Sequence, residues 1–160
     1  MWKASYKIVI ALSIGSLICA GIATNVIAQS NSPADTIRAR QQHLKDLGAA
    51  FKAIRDQMRV SVPDATLIRT SAADMKKAAD AMANWFPKGS GPEVGIKTAA
   101  KPEIWSDPAD FSAAQKNLVE VLGKFAQTAN SGDIDAVKAQ IAGVGQACKR
   151  CHDKYRVKED

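Results

Sequence analysis

Near the end of the chain, Cys148, Cys151 and His152 stand together in the run Cys148-Lys149-Arg150-Cys151-His152. Two thiols one helical turn apart can add to the two vinyl groups of a haem, and the adjacent imidazole is then held over the iron as an axial ligand. Other chemistry fits a bare Cys-x-x-Cys: a thioredoxin-like redox pair, half a zinc site, or a structural disulfide. A zinc site wants two further ligands, and the only other histidine is His43. A thioredoxin-like pair wants alternating strands and helices, and the chain has no strand pattern. Haem attachment through Cys148 and Cys151, with His152 on the iron, is the reading the surroundings favour.

Those surroundings begin with a leader. Lys3 and Lys7 precede an uncharged apolar run from Ile8 to Ala23, and Val26-Ile27-Ala28 fits a signal-peptidase site before Gln29. The run is shorter than the roughly 20 residues that span a bilayer, so a cleaved leader over residues 1–28 is expected rather than a membrane anchor. Cleavage leaves residues 29–160 as one domain with a sizeable core. It also removes Cys19, so the only remaining thiols are the pair in the motif. In an oxidising compartment outside the cytoplasm that pair would otherwise be expected to form a disulfide. The chain of 160 residues carries a formal charge of +6. Its cations are interspersed with acids rather than gathered in a stripe, which does not argue for a nucleic-acid partner.

Four helices must position the motif. Ser32-Pro33 is a start signal, and Ile37, Leu44, Leu47, Phe51, Ile54 and Met58 then recur at spacings of three and four. Arg40 interrupts that stripe. It either snorkels to water near the helix start or meets an anion inside the bundle mouth, such as a haem propionate. Val62-Pro63-Asp64 opens a second helix, capped near Ser61 or Val62, with Ile68, Ala72, Met75, Ala79, Met82 and Phe86 as its stripe. Met75 and Met82 read as packing rather than iron ligands. Its small residues suit a core or a partner subunit. Pro87 to Ser106 reads as a long crossover loop bracketed by Trp85 and Trp105, which anchor it or pack on a haem edge. Ser106-Asp107-Pro108 starts a third helix with Phe111, Ala114, Leu118, Val121, Leu122 and Phe125. Asp133 caps a fourth, whose stripe runs Ile134, Val137, Ile141, Val144, Cys148, Cys151 and Tyr155. Both thiols therefore fall on a core-facing line. Gly143 and Gly145 make room for a flat cofactor or for a neighbouring helix.

The expectation is an all-α protein: an antiparallel four-helix bundle with one haem c held inside. Leu44 lies one turn from Arg40 on the same face, so an Arg40 that reaches a propionate points Leu44 at the haem plane. Leucine cannot ligate iron. His43 lies about 100° round the helix and points elsewhere.

The chain resembles the cytochromes c′, the class II c-type cytochromes. The resemblance rests on Arg40-Gln41 with Leu44 and Gly48, and on Trp85-Phe86-Pro87 with Gly89-Ser90-Gly91. It rests further on the run from Lys101 to Asp107, and on Cys148 to Asp153 with Tyr155-Arg156. It implies a periplasmic, usually dimeric protein with one covalently attached haem c per subunit and a high-spin, five-coordinate iron. By resemblance, Arg40 contacts a propionate, Leu44 crowds the distal face, and Gln41 and Thr98 are further haem contacts. Arg156 sits near the proximal His152. The resemblance also implies binding of nitric oxide and carbon monoxide, and electron exchange with a redox partner protein. Low-spin relatives carry methionine where this chain has Leu44, so the high-spin branch is expected. The alternative is a six-coordinate electron carrier with His43 or Met58 as second ligand. A peroxidase-like enzyme would want a distal histidine-arginine pair, which the chain does not offer.

Overall fold

The computed structural model describes residues 32–158; the leader expected over 1–28, with Cys19, lies outside them. Capping chemistry sets the helix starts. The Ser32 hydroxyl accepts from the Asp35 amide, and Pro33 opens helix α1 (Pro33–Gln57). Helix α2 (Ala65–Ala81) is capped by Asp64, two or three residues later than the sequence suggests. The Asp64 carboxylate accepts from both Thr66 and Leu67 amides, two orphan donors that Ser61 and Val62 do not serve. Asp107 and Asp133 cap helices α4 (Pro108–Ser131) and α5 (Ile134–Tyr155) as expected. Gly132, at φ 79°, takes the left-handed conformation that ends α4 and lets the chain reverse at once.

The second helix does not run through to Phe86. Its last turn tightens into a 3-10 helix at Met82–Trp85, because Pro87 disfavours helical backbone at the residue before it. The crossover is not one irregular loop either. It carries a 3-10 turn at Pro92–Val94 and a short helix, α3 (Glu103–Ser106). The only sheet-like pairing among the described residues is an antiparallel bridge between Ala100 and Arg156.

Helices α1, α2, α4 and α5 form the antiparallel four-helix bundle, with α2 against α1, α4 against α2, and α5 against α4. The main core is made where these pairs meet: Ile54, Ile68, Leu122, Phe125 and Val137 are fully buried, with Met75 and Met82 packed among them. A second cluster of Ile104, Phe111 and Tyr155 closes the end where α5 terminates. The fourth neighbouring pair is different. Helices α1 and α5 barely touch, which leaves a seam along one side of the bundle. Among the described residues, no helix is long and apolar enough to cross a membrane.

Core and cap are separable in stability. Leu122→Ala is expected to cost about 2–5 kcal/mol by opening a cavity, and Asp133→Ala about 1 kcal/mol by orphaning one amide. Urea denaturation followed by far-ultraviolet circular dichroism checks both. Equal losses would show that Leu122 is not enclosed as described.

Candidate functional site

The seam takes its character from the faces that border it. On α1 the apolar stripe goes bare at Leu44, which is 36% exposed although Ile37 and Ile54 on the same stripe are fully buried. One turn on, Gly48 is exposed. On α5, Val137 and Val144 are buried, whereas Gly145, Cys148 and Cys151 are only half-buried. A Cβ added at Gly48, Gly143 or Gly145 would meet nothing within 4 Å, so no neighbouring helix among the described residues fills that space.

Cys148 packs against the main core and Cys151 against the second cluster. Both are free thiols. Burial pushes the Cys148 thiol above its ordinary pKa, and burial together with Cys148 pushes Cys151 up to about 11. At neutral pH both are therefore neutral and apolar in character. His152 lies at the exposed edge of α5. Desolvation and then the positive charge of Arg156 hold its imidazole below the usual pKa, with Asp153 opposing. Lys149 and Arg150 face water.

Arg40 does not snorkel. It is 2% exposed and points inward, where its guanidinium lies 4.8 Å from the Phe86 ring centroid and 5.6 Å from that of Trp105. It donates to the Ser90 hydroxyl and carbonyl, each at 3.0 Å, to the Thr98 hydroxyl at 3.1 Å and to the Trp85 carbonyl at 3.4 Å. None of these acceptors is a carboxylate. Burial lowers the Arg40 pKa, and Glu93 acts on it in the opposite sense from a distance. A buried cation served only by neutral oxygens is an electrostatic invitation to an anion.

The crossover that supplies this cage is itself anchored. The Trp105 indole N–H donates to the Phe86 and Pro87 carbonyls. Phe86 stacks edge-on to Phe111, and Phe111 edge-on to Tyr155, each pair 4.9 Å apart. Arg40 on α1 is thus linked through aromatic rings to the turn of α5 that carries Cys151. The Tyr155 hydroxyl donates to Asp110, whose carboxylate also pairs with Lys154 at 2.6 Å. The Gln41 amide is directed to the crossover, donating to the Lys97 carbonyl at 3.0 Å. His43 stacks on Trp85 at 4.8 Å instead of facing the seam.

Sequence reasoning missed Ser90, Phe86 and Asp110. Ser90 stands 50 residues from Arg40, and helical periodicity carries no information across such a separation. The one available signal was the turn chemistry of Pro87 to Gly91, which marks a tight loop but not what it encloses.

The residues fit a flat, anionic, covalently bound macrocycle on three counts. Two neutral thiols sit one turn apart on α5, α1 leaves its apolar stripe uncovered at Leu44, and the buried guanidinium of Arg40 has no carboxylate in contact among the described residues.

Comparison with known proteins agrees with this geometry. Residues 35–156 match the family described as Cytochrome C′. A cytochrome c′ of Alcaligenes xylosoxydans xylosoxydans is 33% identical over 132 residues, spanning 82% of this chain and 100% of that protein. Among solved structures, a cytochrome c′ with an unusual ligand-controlled dimer dissociation superposes with a TM-score of 0.75. It is 29% identical and covers 80% of this chain and 98% of its own. The nitric oxide complex of a leucine-to-isoleucine variant of the Alcaligenes xylosoxidans cytochrome c′ gives a TM-score of 0.67. It too is 29% identical, covering 79% of this chain and 97% of its own.

The Arg40 cage makes its own prediction. Lysine is a point donor that cannot reach four acceptors from one planar group, so Arg40→Lys is expected to lower stability by about 1–3 kcal/mol. A urea midpoint equal to wild type would mean the cage contributes nothing to the fold.

Proposed function

This chain belongs to the cytochrome c′ family, and from that membership we propose that it is a haem c protein of the periplasm that binds small gases and exchanges electrons. The leader over residues 1–28 would be removed and residues 29–160 would form the working domain, as a homodimer. When bound, the haem supplies an iron that changes oxidation state by one electron and accepts diatomic ligands.

The remaining roles belong to side chains. Cys148 and Cys151 would hold the macrocycle as thioethers, each thiol hydrogen and sulfur adding across one vinyl group. His152 would take one axial position on the iron, with the Arg156 charge beside it. Arg40 would offer a desolvated positive charge to a propionate, and Gln41 and Thr98 would line the same end.

Leu44 would govern which small ligands the iron accepts. It has no lone pair to give, and its bulk excludes water and disfavours ligands that need room or a hydrogen-bond donor. Nitric oxide needs neither as strongly as dioxygen does. The observation that carries this reading is the bare Leu44 on α1, one turn beyond buried Arg40, together with the scant contact between α1 and α5, the helix that bears both free thiols. The six-coordinate alternative draws no support from its two candidates. His43 is stacked on Trp85, and Met58 is packed against the main core. We read the protein as a binding and redox protein rather than an enzyme; its redox partner is a protein still to be identified.

Two measurements test the reading. Intact-mass analysis under denaturing conditions should find haem retained by the wild type and lost from a Cys148→Ser/Cys151→Ser double variant. Retention by the double variant would refute thioether attachment. Leu44→Ala should raise carbon monoxide affinity at least about tenfold, equivalent to about 1.4 kcal/mol. An unchanged titration would remove Leu44 from the distal role.

A further inference from the structure

Besides the aromatic contacts that run from Phe86 to Tyr155, the Thr98 hydroxyl joins Arg40 to the end of α5 by hydrogen bonds. On one side it accepts from Arg40 Nη2 at 3.1 Å. On the other it accepts from the Ala100 amide at 3.2 Å, which fixes the turn leading into residues 99–101. Those residues clasp the chain where it leaves α5. The Lys101 amide donates to the Tyr155 carbonyl at 2.9 Å, and the Val157 amide donates to the Ala99 carbonyl at 2.8 Å. The Arg156 amide in turn donates to the His152 carbonyl at 3.0 Å, closing the last turn of α5. A hydrogen-bonded path therefore runs from α1, one turn before Leu44, to the backbone of His152, and it passes through one side-chain oxygen.

We propose that Thr98 is a positioning residue: its hydroxyl ties Arg40 on α1 to the clasp at the end of α5 and thereby fixes the orientation of His152. The tie stands on the geometry of the chain alone; only the consequence for an iron-bound His152 rests on the proposed haem function. Bonding at one oxygen suits this task, because a hydroxyl can accept from two directions at once. Without Thr98 the guanidinium keeps Ser90 and the Trp85 carbonyl, so the bundle stays closed while the clasp loses its register with α1.

Hydrogen exchange on the haem-loaded protein, resolved to single amides, tests the tie. In Thr98→Val the amides of Ala100, Lys101 and Val157 should exchange about fivefold faster, the equivalent of one hydrogen bond lost to local opening. Thr98→Ser should restore wild-type rates. Thr128→Val is the control: its hydroxyl links Lys124 and Gln140 near the opposite end of the bundle, and it should leave the three amides unchanged. Unchanged rates in Thr98→Val, or acceleration spread equally over all helices, would overturn the tie.

The second readout is the set of iron-shifted imidazole resonances of His152. They should move in Thr98→Val and return in Thr98→Ser. Faster amides with unmoved imidazole resonances would overturn the positioning role. Iron-shifted imidazole resonances missing already from the wild type would refute His152 as a ligand, a failure of the haem reading that the amide rates identify separately.

Discussion

Burying a guanidinium is costly, and Arg40 is buried almost completely without an acidic partner in contact. The free energy to hold it there comes from four neutral oxygen acceptors and two aromatic faces, all of them on the segment between α2 and α4. This accounts for features that otherwise look unrelated. The crossover is long because it must reach back across the end of the bundle to α1. Its Gly89-Ser90-Gly91 turn is tight because one residue, Ser90, must present both its hydroxyl and its carbonyl. Trp105 spends its indole N–H on pinning Phe86 and Pro87, which keeps the Phe86 ring under the guanidinium. A cation in such surroundings gains more from an anion than it would in water, because the local dielectric is low.

The open seam is the geometric counterpart of that electrostatic preference. Three of the four neighbouring helix pairs close on apolar side chains; α1 and α5 do not, although both carry the right stripe. On α1 the stripe is uncovered at Leu44 and Gly48, and on α5 Gly145, Cys148 and Cys151 are only half-buried. These side chains are too small or too sparse to serve as ordinary core, and under the proposed function the cofactor completes the bundle instead. The haem would then be part of the core, and its affinity would be part of the folding free energy.

Much of this was legible in the residues. Ser32-Pro33, Asp107-Pro108 and Asp133 announce helix starts through local bonds, and local bonds are what a sequence displays. The line from Ile134 to Tyr155 carried both thiols to the inner face because a helix fixes the angle between consecutive side chains. The cap of α2 was misread because Pro63 suggests a start, while the Asp64 carboxylate can serve two amides. Arg40 was open to two readings because its fate depends on Ser90 and Thr98, which no local pattern connects to it. The clasp between residues 99–101 and 155–157 was invisible for the same reason. It forms only when the end of α5 and the crossover meet in the folded chain.

The central claim is that α1 offers the iron no ligand, so that His152 alone among the side chains would hold it. Electron paramagnetic resonance of the purified ferric protein at neutral pH tests this most directly. The account predicts a high-spin signal from five-coordinate iron. A low-spin signal would mean that a second side chain reaches the iron and that Leu44 does not govern the distal face.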